Sequence, residues 1–169
     1  MTTQQRLVCF AHGKESGPWG TKIMRLAEVA RARGFEVMSP DYSATHNPHE
    51  RVQMLLRLAP KARPLVLVGS SMGAYVSAMA CEALRPDALF LMAPALYFPG
   101  WDEEPRSIPA RCCVVHGRAD EIVPVERAER FAAHNGSELH LLHSDHSLND
   151  QLPILSYLLE RMLDQVLAG

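Results

Sequence analysis

The stretch Leu65-Val66-Leu67-Val68-Gly69-Ser70-Ser71-Met72-Gly73 decides the fold of this chain. Its first four residues are all apolar, which is typical of a strand in the middle of a sheet covered by helices on both faces. Its last five residues match the pattern G-x-S-x-G, a very tight turn between a strand and a helix. Glycines in such a turn remove side chains where the two backbones approach closely. The stretch therefore predicts a projecting, reactive serine, Ser71, directly after a central strand.

Apolar segments on both sides of this stretch alternate with segments of helical periodicity, the pattern of parallel strands joined by crossover helices. The predicted strands are rich in Val, Leu, Phe and Cys and cover residues 7–11, 35–38, 65–68, 88–92, 112–115 and 139–142. The predicted helices lie before Gly34, between Pro48 and Pro60, and over residues 72–84, 125–134 and 149–167. We expect a single α/β domain over residues 1–169, with about six parallel strands and helices on both faces.

Length and composition are those of an ordinary globular domain, with 169 residues of which 47% are hydrophobic and 21% charged. The formal net charge is -2 and the basic residues are scattered, so we expect no nucleic-acid partner. Residues 1–6 are polar, and the apolar run 7–11 is far too short for a signal-peptide core or a membrane span. We expect a cytoplasmic protein without membrane attachment, and the sequence is compatible with a homodimer.

The cysteines show no CxxC spacing, and three of the four fall in predicted strands. They are Cys9, Cys81, Cys112 and Cys113. Reduced, mostly structural thiols are the natural interpretation in a cytoplasmic protein. We therefore expect no metal site and no cofactor.

A serine hydroxyl is a poor nucleophile near neutral pH, so Ser71 needs a histidine to accept its proton and an acid to orient that histidine. In chains that carry the serine on this kind of turn, the acid and then the histidine follow it. Asp120 lies in the loop after the strand predicted at 112–115, and His146 follows the last predicted strand. All three residues emerge at the carboxyl ends of parallel strands, the edge where open α/β sheets bind ligands.

Asp102 is the alternative acid, because it lies in the long loop after the preceding strand. The remaining histidines occupy positions that fit structural or solvated roles; they are His12, His46, His49, His116, His140 and His143. His12 and His116 each precede a glycine at a strand end, so we expect them to brace loops through hydrogen bonds. Only His146 has the required position after the last strand.

The oxyanion of a tetrahedral intermediate needs preorganised N–H donors. Met72 follows the nucleophile and is the first residue of a helix. The positive end of that helix dipole adds to the electrostatic stabilisation of the oxyanion. The second donor is expected in the loop after the first strand, where Lys14 is the candidate. The backbone supplies this donor, so the Lys14 side chain has no required role.

These motifs resemble the α/β-hydrolase superfamily, in particular its small lidless members related to short-chain carboxylesterases and dienelactone-hydrolase-like proteins. The resemblance covers nearly the whole chain and rests on five segments: His12-Gly13, Gly69-Ser70-Ser71-Met72-Gly73, Ala93-Pro94, the surroundings of Asp120, and Asp145-His146. It implies a Ser71, Asp120 and His146 triad with the amides of Lys14 and Met72 as the oxyanion hole.

The chain departs from larger members of that superfamily by lacking an inserted cap between the predicted strands 88–92 and 112–115. We therefore expect an open, shallow site. Aromatic residues near it are expected either to form a small apolar wall or to pack under the proline-rich stretch 93–111; they are Trp19, Tyr97, Phe98 and Trp101.

The leading functional prediction is hydrolysis of a small-molecule carboxylic ester through an acyl-enzyme intermediate. A thioesterase is the alternative enzyme, because the same acyl-enzyme chemistry cleaves both bonds. A non-catalytic small-molecule-binding protein that retains the fold is the alternative from another class.

Overall fold

Six parallel strands form one sheet in the computed structural model, which describes residues 5–169. They are β1 (Leu7–Ala11), β2 (Glu36–Met38), β3 (Leu65–Ser70), β4 (Ala88–Met92), β5 (Cys112–Gly117) and β6 (Glu138–Leu142). Their order across the sheet is β2-β1-β3-β4-β5-β6. The predicted parallel sheet is confirmed. Of the polar segment expected at residues 1–6, residues 1–4 lie outside the described residues.

Five α-helices cover the sheet, one on each crossover between strands except the β4–β5 connection, and one after β6. They are α1 (Thr21–Ala32), α2 (Pro48–Leu58), α3 (Met72–Leu84), α4 (Val125–Asn135) and α5 (Leu152–Ala168). A single 3₁₀ turn, Asn149–Gln151, leads into α5 where the sequence predicted a continuous helix. Within residues 5–169, no helix combines the length and the apolar character that a membrane crossing requires.

Alternate residues of each central strand belong to two separate cores, one on each face of the sheet. In β3, Leu65 and Leu67 pack with α2, α3 and α4, whereas Val66 and Val68 pack with α1 and α5. All four side chains are at most 1% exposed. Because both faces are covered, every position of the strand must be apolar, which explains the uninterrupted run in the sequence.

The turn from β3 into α3 brings three backbone segments into direct contact. A Cβ atom at Gly69 would lie 2.3 Å from the carbonyl oxygen of Gly73, and one at Gly73 would lie 1.9 Å from the carbonyl oxygen of Ala11. Neither position can hold a side chain without displacing the backbone. The two glycines of the motif therefore let α3 start directly against β1 and β3.

The connection between β4 and β5, residues 93–111, contains neither a helix nor a strand, so no cap domain covers the sheet edge. Arg127 of α4 fixes this segment by donating hydrogen bonds to the carbonyl oxygens of Leu96 (2.9 Å) and Tyr97. The Arg130 guanidinium lies 3.7 Å from the centre of the Tyr97 ring. The four cysteines are all buried, with free thiols.

We predict that Gly73→Ala destabilises the protein. The new Cβ would overlap the Ala11 carbonyl, at a cost near the upper end of the usual overpacking range, about 3 kcal/mol. Gly73 lies in the first turn of α3, where the helix-interior preference for alanine offsets only part of this cost, so the free energy of unfolding should fall by about 2–3 kcal/mol.

Urea denaturation measures this change. Gly17→Ala is the matched control, because a Cβ at Gly17 has no atom within 4 Å. Equal stability of the two variants would contradict the close approach of α3 to β1.

Candidate active site

Ser71 occupies a strained backbone conformation at the start of α3, with φ 56° and ψ −118°. A non-glycine residue in such a region costs about 1–3 kcal/mol and persists only where the surroundings enforce it. Two hydrogen bonds do so here: the Ser71 N–H donates to the Met92 carbonyl (2.9 Å), and the Ser71 carbonyl accepts from the Ala95 N–H (3.1 Å). The end of β4 thus holds the serine in place.

His146 joins the serine to an acid. Its Nε2 atom lies 2.9 Å from Ser71 Oγ, and its Nδ1 atom lies 2.7 Å from Asp120 Oδ2. A carboxylate oxygen can only accept, so Nδ1 carries the proton and Nε2 is free to accept from the serine hydroxyl. The structure therefore brings together the three residues that the sequence indicated, in an arrangement that can move a proton from Ser71 to His146.

The Asp120 carboxylate is fully buried and is held at both oxygens. Oδ1 accepts from the backbone N–H groups of Ile122 and Val123, each at 2.8 Å. Oδ2 accepts from His146 and lies 3.2 Å from Nε2 of His116. The same Nε2 atom lies 2.9 Å from the Val123 carbonyl oxygen. Both neighbours are acceptors, so Nε2 of His116 carries its proton, and His116 braces this loop as expected.

The loop that carries His146 is fixed from two sides. A Cβ atom at Gly117 would lie 2.4 Å from the Ser144 carbonyl oxygen, so the end of β5 touches this loop directly. On the other side, Lys22 of α1 donates from Nζ to the Ser147 carbonyl oxygen at 2.6 Å. Burial lowers the pKa of Lys22. The histidine is thereby positioned by elements on both sides of its loop.

Met72 and the loop that contains Lys14 both lie close to Ser71. Met72 is the first residue of α3, so its N–H has no acceptor within the helix. The loop after β1 passes close to Ser71, because a Cβ atom at Gly13 would lie 3.5 Å from Ser71 Cβ. Lys14, Met72 and Ser71 line the same cavity.

His12 fixes the loop after β1 from inside. Its Nδ1 atom lies 2.8 Å from the Gly13 carbonyl oxygen, and its Nε2 atom accepts from the Tyr42 N–H at 2.9 Å. These partners require a neutral ring with the proton on Nδ1. Burial lowers the pKa of His12, which favours the same neutral form. His12 thus has the bracing role that the sequence indicated.

The cavity at the serine has a volume of about 530 Å³ and is bounded partly by apolar side chains. That apolar wall consists of Ala95, Phe98, Trp101, Ile122 and Val123. Lys14, Glu15 and Lys22 line other parts of the cavity. A second cavity, of about 490 Å³, surrounds Pro60 and Arg63 at the opposite end of the sheet and contains none of the three linked residues.

Only two of the four aromatic residues considered from the sequence, Phe98 and Trp101, line the active-site cavity. Tyr97 is buried, and its hydroxyl donates to Glu104 Oε1 at 2.9 Å. The Trp19 ring lies 5.8 Å from the Arg31 guanidinium carbon on α1 and does not line the cavity. Phe98 and Trp101 thus line the wall and Tyr97 packs within the proline-rich stretch, whereas Trp19 does neither and is 46% exposed.

The alternative acid, Asp102, is exposed in the β4–β5 connection, whereas Asp120 is the carboxylate that contacts His146. His49 contacts Glu103, and His140 contacts Glu138, so these two histidines have partners of their own. Asp120 is therefore the acid that the fold joins to His146.

One group of side chains outside this site has the composition of a metal site, namely Cys113, Glu138 and His140. Glu138 Oε1 is already the acceptor for Arg161 and His140, so its charge is compensated without an ion. Burial also raises the pKa of the Cys113 thiol to about 12, which disfavours the thiolate that a metal requires.

Three residues around the site were not identified from the sequence: Arg51, Lys22 and Ile122. Arg51 had a detectable signal, because it shares the buried stripe of α2 with Pro48, Val52 and Leu55 at helical spacing. A charged residue on such a stripe indicates a buried polar role. Lys22 and Ile122 gave no comparable signal, since their positions depend on how two loops fold over the sheet edge.

Comparisons with solved structures show that the chain shares its fold with α/β hydrolases. The chain is similar to a protein assigned to the α/β-hydrolase superfamily from Xanthomonas campestris pv. campestris, with 29% identity and a TM-score of 0.86 over 96% of this chain and 99% of the other. No protein-family model matches the chain, and no curated protein matches it.

Two more distant structures share the fold. An α/β serine hydrolase without a lid from Xanthomonas campestris is 22% identical, with a TM-score of 0.71 over 98% of this chain and 84% of the other. An esterase from Pyrococcus furiosus is 16% identical, with a TM-score of 0.76 over 96% of this chain and 82% of the other. The predicted lidless α/β-hydrolase fold is confirmed by these likenesses.

The lowered pKa of His12 predicts a pH dependence of stability. In the unfolded chain a histidine titrates near pH 6.5, and in the folded protein burial moves the pKa of His12 below that value. Between the two pKa values the unfolded state binds more protons, so this contribution to stability is complete above about pH 6.5 and is lost as the pH falls.

His12→Gln removes this contribution. Urea denaturation should show that the stability lost between pH 7.5 and pH 5.5 is smaller in the variant than in the wild type. An identical pH dependence in the two proteins would contradict a neutral, buried His12.

Proposed function

Because the chain belongs to the α/β-hydrolase superfamily and has the fold of its lidless members, we propose that it is a serine hydrolase that cleaves small carboxylic esters. One observation carries this proposal: the continuous hydrogen-bonded chain from Asp120 through His146 to Ser71, at 2.7 and 2.9 Å. These distances are within the range in which a base can take the proton of a serine nucleophile.

Acylation begins when Ser71 Oγ attacks the carbonyl carbon of the ester while His146 Nε2 takes the hydroxyl proton. Asp120 stabilises the resulting imidazolium through the hydrogen bond to Nδ1. The N–H groups of Met72 and Lys14 stabilise the negative oxygen of the tetrahedral intermediate. Collapse of the intermediate expels the alcohol, which receives its proton from His146, and leaves the acyl group on Ser71.

Deacylation repeats these steps with water as the nucleophile. His146 takes a proton from water, the hydroxide attacks the acyl carbonyl, and the carboxylic acid leaves as the proton returns to Ser71. The open β4–β5 connection favours this step, because water reaches an uncapped site directly. His146 is itself about one-fifth exposed on its side chain.

The apolar wall indicates that the acyl group is the part of the substrate that enters the cavity. The size of the cavity limits the length of that acyl group. Ile122 is 65% exposed although it is aliphatic, so it can bury surface against a bound chain. Phe98 and Trp101, whose ring centroids are 5.6 Å apart, line the same cavity. The site thus suits small apolar acyl esters better than long lipids, which need a deep enclosed tunnel.

Thioester hydrolysis is the competing activity, because the same residues would perform it. Matched oxygen and sulfur esters of one acyl group, compared by kcat/KM, separate the two activities. Oxygen-ester hydrolysis at a rate equal to or above the thioester supports the proposal. Exclusive thioester cleavage would contradict the ester assignment, and reversible binding without turnover would favour the non-catalytic alternative.

We predict that Asp120→Asn lowers kcat/KM for 4-nitrophenyl acetate by about 10³- to 10⁴-fold, because asparagine cannot hold the histidine in the required tautomer. Ser71→Ala should abolish acyl-enzyme formation. Asp102→Asn is the matched control and should retain wild-type activity, because Asp102 is exposed and the carboxylate that contacts His146 is that of Asp120. An Asp102→Asn loss as large as that of Asp120→Asn would overturn the assignment of the acid.

A second prediction concerns the acyl chain. Ile122→Ser should lower kcat/KM for 4-nitrophenyl hexanoate about fivefold, the equivalent of about 1 kcal/mol of lost apolar contact, and leave the acetate ester nearly unaffected. Ile154→Ser is the control, because Ile154 is a 40% exposed isoleucine on α5 that does not line the cavity. Equal effects of Ile122→Ser on acetate and hexanoate would contradict an acyl-binding role of the wall.

A further inference from the structure

A fully buried arginine lies directly behind the loop that follows β1. Arg51 of α2 is 0% exposed, and every hydrogen-bond partner of its guanidinium in the part of the chain that the structure describes is a backbone carbonyl. Burying a charge without a carboxylate partner costs several kcal/mol unless its donors are well satisfied. The location of the four carbonyls that accept from Arg51 therefore indicates its structural role.

Three of these carbonyls are consecutive in the loop after β1. Arg51 Nη1 donates to the oxygens of Gly13 (3.0 Å) and His12 (3.4 Å), and Nη2 donates to the oxygen of Lys14 (3.2 Å). The remaining donor, Nε, binds the Thr45 carbonyl at 2.8 Å and fixes the guanidinium itself. One side chain thus sets the direction of three successive peptide groups beside the nucleophile.

The geometry of the peptide unit connects these carbonyls to the site. In a trans peptide, the C=O of one residue and the N–H of the next point in opposite directions. The Gly13 carbonyl is directed at Arg51 and is also bound by His12 Nδ1. The Lys14 N–H must then point away from Arg51. Gly13 lies against Ser71 and Lys14 lines the cavity, so the side opposite Arg51 is the side of the nucleophile.

We propose that Arg51 is a positioning residue. It directs the Lys14 N–H toward the oxyanion of the tetrahedral intermediate that forms when Ser71 attacks the ester. This inference rests on the proposed serine-hydrolase function. The guanidinium also polarises the Gly13–Lys14 peptide through its carbonyl, which makes the N–H a stronger donor in a low-dielectric environment. Arg51 reaches four carbonyls from the three separate nitrogen atoms of its guanidinium fork, whereas the three donors of a lysine lie on one atom and cannot reach all four, so lysine does not replace arginine here.

Single-turnover acylation by 4-nitrophenyl acetate tests the inference, because it separates substrate binding from the acylation rate constant. Removing a whole oxyanion donor lowers the rate by about 10²- to 10³-fold. Arg51→Met leaves the amide and His12 in place but frees the peptide to rotate, so we expect a 10- to 100-fold lower acylation rate constant. The dissociation constant for the ester should change by less than about threefold.

A trifluoromethyl ketone inhibitor gives the readout that a merely structural arginine would not affect. Its adduct with Ser71 carries a tetrahedral oxyanion, so its affinity should fall by the same factor as the acylation rate constant. Arg51→Lys keeps the charge but lacks the fork, and it should remain at least fivefold below the wild type in both measurements.

Arg63→Met is the control, because Arg63 also donates to backbone carbonyls, those of Ala62 and Arg85, at the opposite end of the sheet. It should acylate at the wild-type rate. An acylation rate constant within twofold of wild type in either Arg51 variant would overturn the inference. Failure of both Arg51 variants to fold would also overturn it, because Arg51 would then serve the stability of the whole domain.

The failure of this inference is distinguishable from the failure of the proposed function. If wild-type protein forms no acyl-enzyme with the ester, the serine-hydrolase proposal itself is wrong. If the wild type acylates normally and the Arg51 variants match it, only the positioning role of Arg51 is wrong.

Discussion

The contact of α3 with β1 and β3 is the constraint on which the rest of the site depends. A helix that starts immediately after a strand must approach the sheet more closely than side chains allow, and Gly69 and Gly73 are the positions where that approach occurs. Ser71, between them, is forced into a left-handed conformation with φ 56°. The strain is offset by bonds to Met92 and Ala95, so the serine is rigidly presented at the sheet edge before any substrate arrives.

A glycine also allows a close backbone contact on the other side of the site. Gly117 ends β5 in contact with the Ser144 carbonyl, which brings the loop carrying Asp120 against the loop carrying His146. Bonds from the Ile122 and Val123 amides then fix the carboxylate. All these loops lie at one edge of the sheet, because the carboxyl ends of parallel strands meet there. The distances between Ser71, His146 and Asp120 thus follow from backbone packing, not from long flexible side chains.

Much of this arrangement could be predicted from the sequence, for physical reasons that differ between its parts. The bounds of α3 and β4 were predicted correctly because buried strands and helices have strict apolar periodicity. The linked residues could be named because the serine turn has a fixed strand-turn-helix setting and their order along the chain is constrained. Arg51 was missed although it lies on the buried stripe of α2, because arginine side chains are almost never fully buried. The sequence could not predict that Tyr97 is buried whereas Phe98 lines the cavity. These positions depend on the path of an irregular loop, which has no periodic sequence pattern.

The central claim is that Ser71 is an activated nucleophile, and covalent labelling with a fluorophosphonate tests it most directly. A fluorophosphonate reacts with a serine hydroxyl only where a neighbouring base takes the proton, which here is His146 at 2.9 Å. The account predicts one phosphonyl group per protein molecule, located by peptide mass spectrometry on Ser71, and no labelling of Ser71→Ala. An unlabelled wild-type protein, or equal labelling of Ser71→Ala, would contradict it.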